Sequence, residues 1–239
     1  MPMNDTTSRR IVITGANRGL GLEFVRQWLL RGDRVLALQR SRQPSAALES
    51  LAREHATLHV ASCDVTSEAD VSHAAEEAGR SLGAVDLLVN NAGVYGARNR
   101  GMDEVDLEDL QRVFEVNAVA PLRVTRAFRP LLEHGARPAV VHVTSLMGSI
   151  ADNSSGGSWA YRASKAALNM INRNIAHDLD VPGIPSVAIH PGWVRTDMGS
   201  DAAPLSAEES VSAMIATIDE LQPGQSGKMI DRFGEPVPW

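Results

Sequence analysis

The chain has 239 residues, enough for one domain with a sizeable core, and its 44% apolar and 22% charged content is ordinary for a globular protein in water. The formal net charge of −6 offers no electrostatic attraction to DNA, RNA or an anionic membrane surface. A single cysteine, Cys63, excludes an intrachain disulfide and suits a reducing compartment, the cytoplasm.

Met1 to Arg10 is short and polar and lacks the apolar core of a signal peptide. No later apolar run reaches the roughly eighteen residues that a membrane span needs. Arg10 to Thr14 reads as a first strand, and Arg18 to Leu30 as a helix with Leu22, Val25, Leu29 and Leu30 at helical spacing. Between them lies Thr-Gly-Ala-Asn-Arg-Gly-Leu-Gly, with Gly15, Gly19 and Gly21. A strand, a glycine turn and a helix start form an anion site, because free backbone N–H groups and the helix dipole converge there. The spacing is not the G-x-G-x-x-G of the common dinucleotide fingerprint.

Arg34 to Leu38 reads as a second strand. No acid follows it to hold a ribose hydroxyl; the chain runs Gln39-Arg40-Ser41-Arg42 instead. Arg40, with Arg18 in the glycine turn, reads either as a solvated basic surface or as a pocket for a 2′-phosphate. A short helix over Ala46–Glu54 and a third strand over Thr57–Ala61 come next, followed by Asp64-Val65. Thr66-Ser67-Glu68 starts a helix that reaches about Leu82. Ala84 to Val89 is a fourth strand and ends in Asn90-Asn91-Ala92-Gly93, where asparagines can fix a turn and a glycine admits a close ligand.

Val94 to Asp106 is a polar loop with Tyr95, Arg98 and Arg100, either a solvated loop or a wall that meets an acidic substrate. Leu107 to Leu132 reads as one long helix. Pro121 inside it has no N–H for the carbonyl of Asn117, which frees that oxygen for a water. Ala139 to Thr144 is a fifth strand, and Ser145 follows it. His142 within this apolar run reads as a satisfied core residue, and the seven histidines show no metal-ligand spacing. Gly148 to Ser158 is rich in glycine and serine and reads as a mobile loop. The helix from Trp159 to about Asp180 turns Tyr161, Lys165, Leu168, Asn172, Ile175 and Leu179 to one side, and Ala163, Ala167, Met170 and Asn174 to the other. Pro185–Ile189 is a sixth strand, Ser206–Leu221 a helix and Gly227–Ile230 a last strand. Alternating strands and helices imply a parallel sheet covered on both faces.

Tyr161 and Lys165 stand four apart on one helix face. An ammonium beside a phenol favours the phenolate, so the tyrosine pKa is expected to fall. Alone, this pair is a common surface feature. With Thr14–Gly21, Asn90–Gly93, Asn117, Ser145 and Pro191–Thr196 in this order, the chain resembles the short-chain dehydrogenase/reductase superfamily from about Arg10 to Trp239. Its ending resembles the C-factor and sniffer-like carbonyl reductases.

The resemblance implies one doubly wound α/β domain over 1–239, of Rossmann type, with a parallel seven-stranded sheet between helices. It implies hydride transfer between NADP(H) and a small carbonyl or alcohol substrate, in a homodimer or homotetramer. It makes Tyr161 the general acid/base, Lys165 its helper and a ribose ligand, Ser145 the orienter of the substrate oxygen, and Asn117 the anchor of a water relay. For the cofactor it implies Gly15, Asn17, Arg18, Gly19, Leu20 and Gly21 at the phosphates, Arg40 at the 2′-phosphate, and Asp64 and Val65 at the adenine. Asn91, Ala92 and Gly93 line the cofactor, and Pro191, Gly192, Val194 and Thr196 hold the nicotinamide carboxamide. Ser145 and Tyr161 stand sixteen positions apart, about three more than the superfamily's usual spacing, an insertion over the substrate pocket. A C-factor-like NADP(H)-binding signalling protein, with incidental turnover or none, is the alternative.

Overall fold

The computed structural model describes residues 8–239. The polar start of the chain, read as lacking an apolar leader, therefore lies mostly outside the described residues. Seven strands form one parallel sheet: β1 (Arg10–Thr14), β2 (Arg34–Gln39), β3 (Leu58–Ser62), β4 (Leu87–Asn90), β5 (Ala139–Val143), β6 (Ser186–His190) and β7 (Met229–Asp231). Their order is β3-β2-β1-β4-β5-β6-β7. The central strands are unbroken apolar runs because helices bury both faces. Ile11 and Ile13 of β1 face one layer and Val12 the other, all fully buried.

One layer holds α1 (Gly19–Leu30), α2 (Ala46–Glu54) and α7 (Ala207–Asp219), with Phe24 and Trp28 stacked 4.7 Å apart in its core. The other holds α3 (Glu68–Ser81), α5 (Ala120–Glu133) and α6 (Trp159–Asp178). No helix among the described residues is long and apolar enough to cross a membrane. The sheet order reverses between β1 and β4, which opens a crevice at the carboxyl ends of these strands. The glycine turn and the Asn91–Gly93 segment both start there.

The helix expected over Leu107–Leu132 is continuous but not uniform: α4 (Leu107–Phe114) runs into α5 through a π turn over Glu115–Val119, with helical backbone throughout. In that turn the N–H of Ala120 donates to the carbonyl of Glu115, five residues back. Pro121 follows directly after the π turn, in the first turn of α5, and has no N–H to give. The proline thus marks a change of helical register rather than a kink.

His142 lies in the core, fully buried. Thr125 Oγ1 donates to the Pro121 carbonyl and accepts from Asn90 Nδ2, which also donates to His142 Nδ1. Ser186 donates to Asn172 Oδ1, so it accepts from His142 Nε2. The ring is therefore neutral, with its proton on Nε2, and burial lowers its pKa to about 3.

Candidate active site

The glycine turn is sewn to the end of β4. Asn91 Nδ2 donates to the carbonyls of Thr14 and Gly15 at 2.9 and 3.1 Å, and Thr14 Oγ1 accepts the N–H groups of Asn91 and Ala92 at 3.0 Å. A Cβ on Gly21 would lie 2.2 Å from the Gly15 carbonyl oxygen, so only glycine lets α1 start this close. Arg18 precedes α1 in an extended conformation without a side-chain cap, and no acid sits in the first turn. Helices α2, α3, α4 and α7 each start on a serine or aspartate whose side chain takes a backbone N–H. The first N–H groups of α1, over Gly19, Leu20 and Gly21, are thus left for an anion from outside the chain. Asn17 is half-buried in the same turn. The cradle fits a dinucleotide diphosphate.

Arg18 is already paired. Its guanidinium pairs with Asp197 at 2.6 Å, both side chains being well exposed. Arg40 is exposed beyond β2, and its charge is one of several that lower the Asp64 pKa, after the backbone and hydroxyl bonds from Thr66. Val65 offers its carbonyl to Arg123. On the opposite wall, the Pro191 carbonyl accepts from Ser210, Gly192 takes a left-handed conformation at φ 86°, and Val194 bridges to Leu205. Thr196 closes a turn by accepting the N–H of Gly199, and its methyl faces Gly19 across the crevice.

Tyr161 and Lys165 lie on the buried face of α6, as their spacing requires. Lys165 Nζ donates to the Val143 carbonyl at 2.8 Å and stands 5.7 Å from the centre of the Tyr161 ring. The expected fall in the tyrosine pKa does not occur. Burial raises it to about 12, against a smaller lowering by the nearby Ser145 hydroxyl. Burial also pulls Lys165 down to about 8. Desolvation outweighs the pairing because the ammonium is aimed at a carbonyl of β5 rather than at the phenol oxygen. Ser145 Oγ accepts the N–H of Met147 at 3.2 Å.

Asn117 is fully buried in the π turn. Its amide exchanges two bonds with the backbone of Val94, both at 2.8 Å, and donates to Ser164 Oγ at 3.0 Å. The side chain is thus a strut between β4's outgoing loop and α6, and a Cβ on Gly93 would meet its Oδ1 at 3.3 Å. Ser164, in turn bonded to the Tyr161 carbonyl, was not singled out in the sequence. Neither was His190, whose Nδ1 accepts the N–H of Leu146 and whose pKa burial lowers to about 4.

The Gly148–Ser158 loop is not free. Ala151 N–H donates to the Trp239 carbonyl, Ser158 N–H to the Asn99 carbonyl, and Arg162 holds Ser155 and Gly156. The first two bonds join residues 88 and 59 positions apart, which the local composition that suggested mobility does not show. Tyr95 ties this loop to the site: its ring stacks on that of Tyr161 at 4.4 Å, and its hydroxyl lies 2.9 Å from Ser158 Oγ.

Comparison with known proteins decides the family. A model described as short chain dehydrogenase matches residues 9–205. The chain belongs to the short-chain dehydrogenase family. This is a family of oxidoreductases that act on small molecules with a nicotinamide cofactor. Among its members, the chain is 51% identical over 157 residues to the C-signal of Myxococcus xanthus, covering 66% of this chain and 94% of that one. The carbonyl reductase Sniffer of D. melanogaster superposes with a TM-score of 0.93 at 32% identity, covering 98% of this chain and all of the other. An NADPH-bound carbonyl reductase from chicken fatty liver gives 0.91 at 35% identity, over 97% and 99% of the two chains. The short-chain dehydrogenase fold thus spans nearly the whole chain.

Proposed function

We propose that the protein is an NADP(H)-dependent carbonyl reductase of the short-chain dehydrogenase family. The observation that carries this reading is the convergence of a protonated phenol, a serine hydroxyl and a buried lysine at the mouth of the uncapped α1 crevice. A dinucleotide held in this cradle would supply the hydride for the carbonyl carbon. Tyr161, protonated at neutral pH, gives its proton to the carbonyl oxygen. Ser145 holds that oxygen by a hydrogen bond. Lys165, charged below about pH 8, replaces the phenolic proton through a water held near Asn117.

On the same reading, Gly15 to Gly21 and Asn17 cradle the phosphates, and Asp64 and Val65 meet the adenine. Asn91, Ala92 and Gly93 line the nicotinamide ribose beside Lys165. Pro191, Gly192, Val194 and Thr196 form the carboxamide wall. Arg40 and Arg18 take the 2′-phosphate, Arg18 by exchanging its bond to Asp197. A screen of NADPH oxidation over aldehydes, ketones, quinones and ketoesters tests the proposal, and consumption that depends on the carbonyl compound is expected.

A second reading rests on the 51% identity to the C-signal. A regulatory protein would bind NADPH and turn over nothing in that screen, which separates the two.

A further inference from the structure

Arg98 occupies an unusual place beside this site. Its guanidinium carbon stands 4.6 Å from the centre of the Tyr95 ring. The other partner of that ring is Tyr161, stacked at 4.4 Å with 16° between planes. Tyr95 thus contacts both the cation and the candidate proton donor, and one side chain links the Arg98 guanidinium to Tyr161.

The loop that carries Arg98 is fixed on both sides. Gly96 takes φ 75°, and a Cβ there would meet Val113 at 2.6 Å and Asp109 at 2.7 Å. The Ala97 N–H donates to Asp109 Oδ2 at 2.7 Å. Asn99, buried, accepts the N–H groups of Ser158 and Trp159 with its carbonyl and side-chain oxygens. The guanidinium itself gives one bond, from Nη2 to the Met198 carbonyl at 3.1 Å. That bond joins the two loops that border the crevice.

No carboxylate pairs with Arg98 among the described residues, whereas neighbouring Arg18 and Arg112 each have one. An arginine backed by an aromatic ring and pinned by one carbonyl has paid much of its ordering entropy before any ligand arrives. Its remaining N–H groups form the fork that suits a carboxylate.

We infer that Arg98 selects the substrate: it receives an anionic group, a carboxylate, on carbonyl compounds whose carbonyl reaches Tyr161. This deepens the reductase reading and rests on it. The anion end of the substrate lies over the 95–98 and 196–198 loops, and the carbonyl end lies at Tyr161 and Ser145.

The test compares two aldehyde acids of different length, 4-carboxybenzaldehyde and 6-carboxy-2-naphthaldehyde, each with its methyl ester. kcat/KM is measured with NADPH for the parent, Arg98→Met and Arg98→Lys. The acid-to-ester ratio of at least one pair should fall about three- to fivefold in Arg98→Met, since Arg98 is exposed and a charge pair at an exposed site is worth less than a decade. Dividing parent by variant cancels the intrinsic reactivity of each aldehyde. Arg98→Lys should recover part of the ratio. If Arg98 only latched the two loops, acid and ester would lose activity together, and the ratio would stay within twofold of the parent. That outcome overturns the inference and leaves the reductase reading intact. Turnover of neither acid nor ester would overturn the inference, and silence across the wider carbonyl screen by protein that binds NADPH would overturn the reductase reading.

Discussion

Tyr161 and Lys165 show how burial sets the chemistry of single residues. The phenol is held to about 12 and the ammonium to about 8, so at neutral pH both carry their protons. A protonated phenol is an acid ready for carbonyl reduction. We expect kcat/KM for reduction to be level between about pH 6 and 7 and to decline as Lys165 discharges near 8; a profile level to pH 10 would detach Lys165 from the proton path. Arg18 makes a second case. It bonds Asp197 at 2.6 Å, so a 2′-phosphate must displace that carboxylate. Exposed pairs are worth less than about 1 kcal/mol. Asp197→Asn should therefore tighten NADPH binding by about two- to fivefold and leave NADH nearly unchanged, as dissociation constants for both cofactors would show. Weaker binding of both would mean that the pair instead closes the crevice over the dinucleotide.

At the scale of elements, the π turn before α5 places Asn117. Its widened register lets the amide bond Val94 in both directions and still reach Ser164. Pro121→Ala returns an N–H that can draw the turn back into ordinary α register. Turnover should then slow severalfold while the melting temperature holds or rises, because alanine suits a helix better. Unchanged turnover would reduce Pro121 to a helix-start residue without effect on the strut. The strands, and both faces of α6, were legible in the sequence because buried parallel strands are continuous apolar runs and a helix repeats every 3.6 residues. The candidate quartet and the glycine turn were legible as motifs. The π turn was not, because its register depends on Val94, 23 residues away. The Arg18–Asp197 pair links residues 179 apart. The stack of Arg98, Tyr95 and Tyr161 likewise needs three segments brought together. The sign of the tyrosine shift was misjudged because spacing gives the neighbour but not the direction of the ammonium or the depth of burial.

For the whole molecule, buried titratable groups set the response to acid. His142 and His190 are held at about 3 and about 4, below the ordinary 6.5. Above pH 6.5 both are neutral folded or unfolded, and they add no pH dependence. Below it the unfolded chain takes up protons that the fold refuses, so stability falls as pH falls. For His142 alone the loss is about 2 kcal/mol at pH 5, at 1.36 kcal/mol per pKa unit. Asp86, drawn to about 2 by Arg10 and by backbone N–H groups despite burial, adds stability above its unfolded value near 3.8 and loses it toward pH 2. Urea midpoints at pH 7 and 5 should show the decline, and His142→Asn should lessen it, leaving the part due to His190; equal midpoints in the parent would contradict these assignments. Val119, Leu122 and Met170 are exposed on α6 and beside and within α5. We propose that these surfaces pair copies of the chain, and light scattering at micromolar concentration should give a dimer or tetramer, against a monomer if they are solvated. On the reading proposed above, a fold built around an uncapped α1 crevice moves a hydride from NADPH to a carbonyl with Tyr161 as the acid. The most direct test is carbonyl-dependent NADPH oxidation by the parent and by Tyr161→Phe, with the NADPH dissociation constant measured for both. The variant should bind NADPH within about threefold of the parent and lose turnover by about 10²–10⁴-fold. A variant that turns over within threefold of the parent would contradict it.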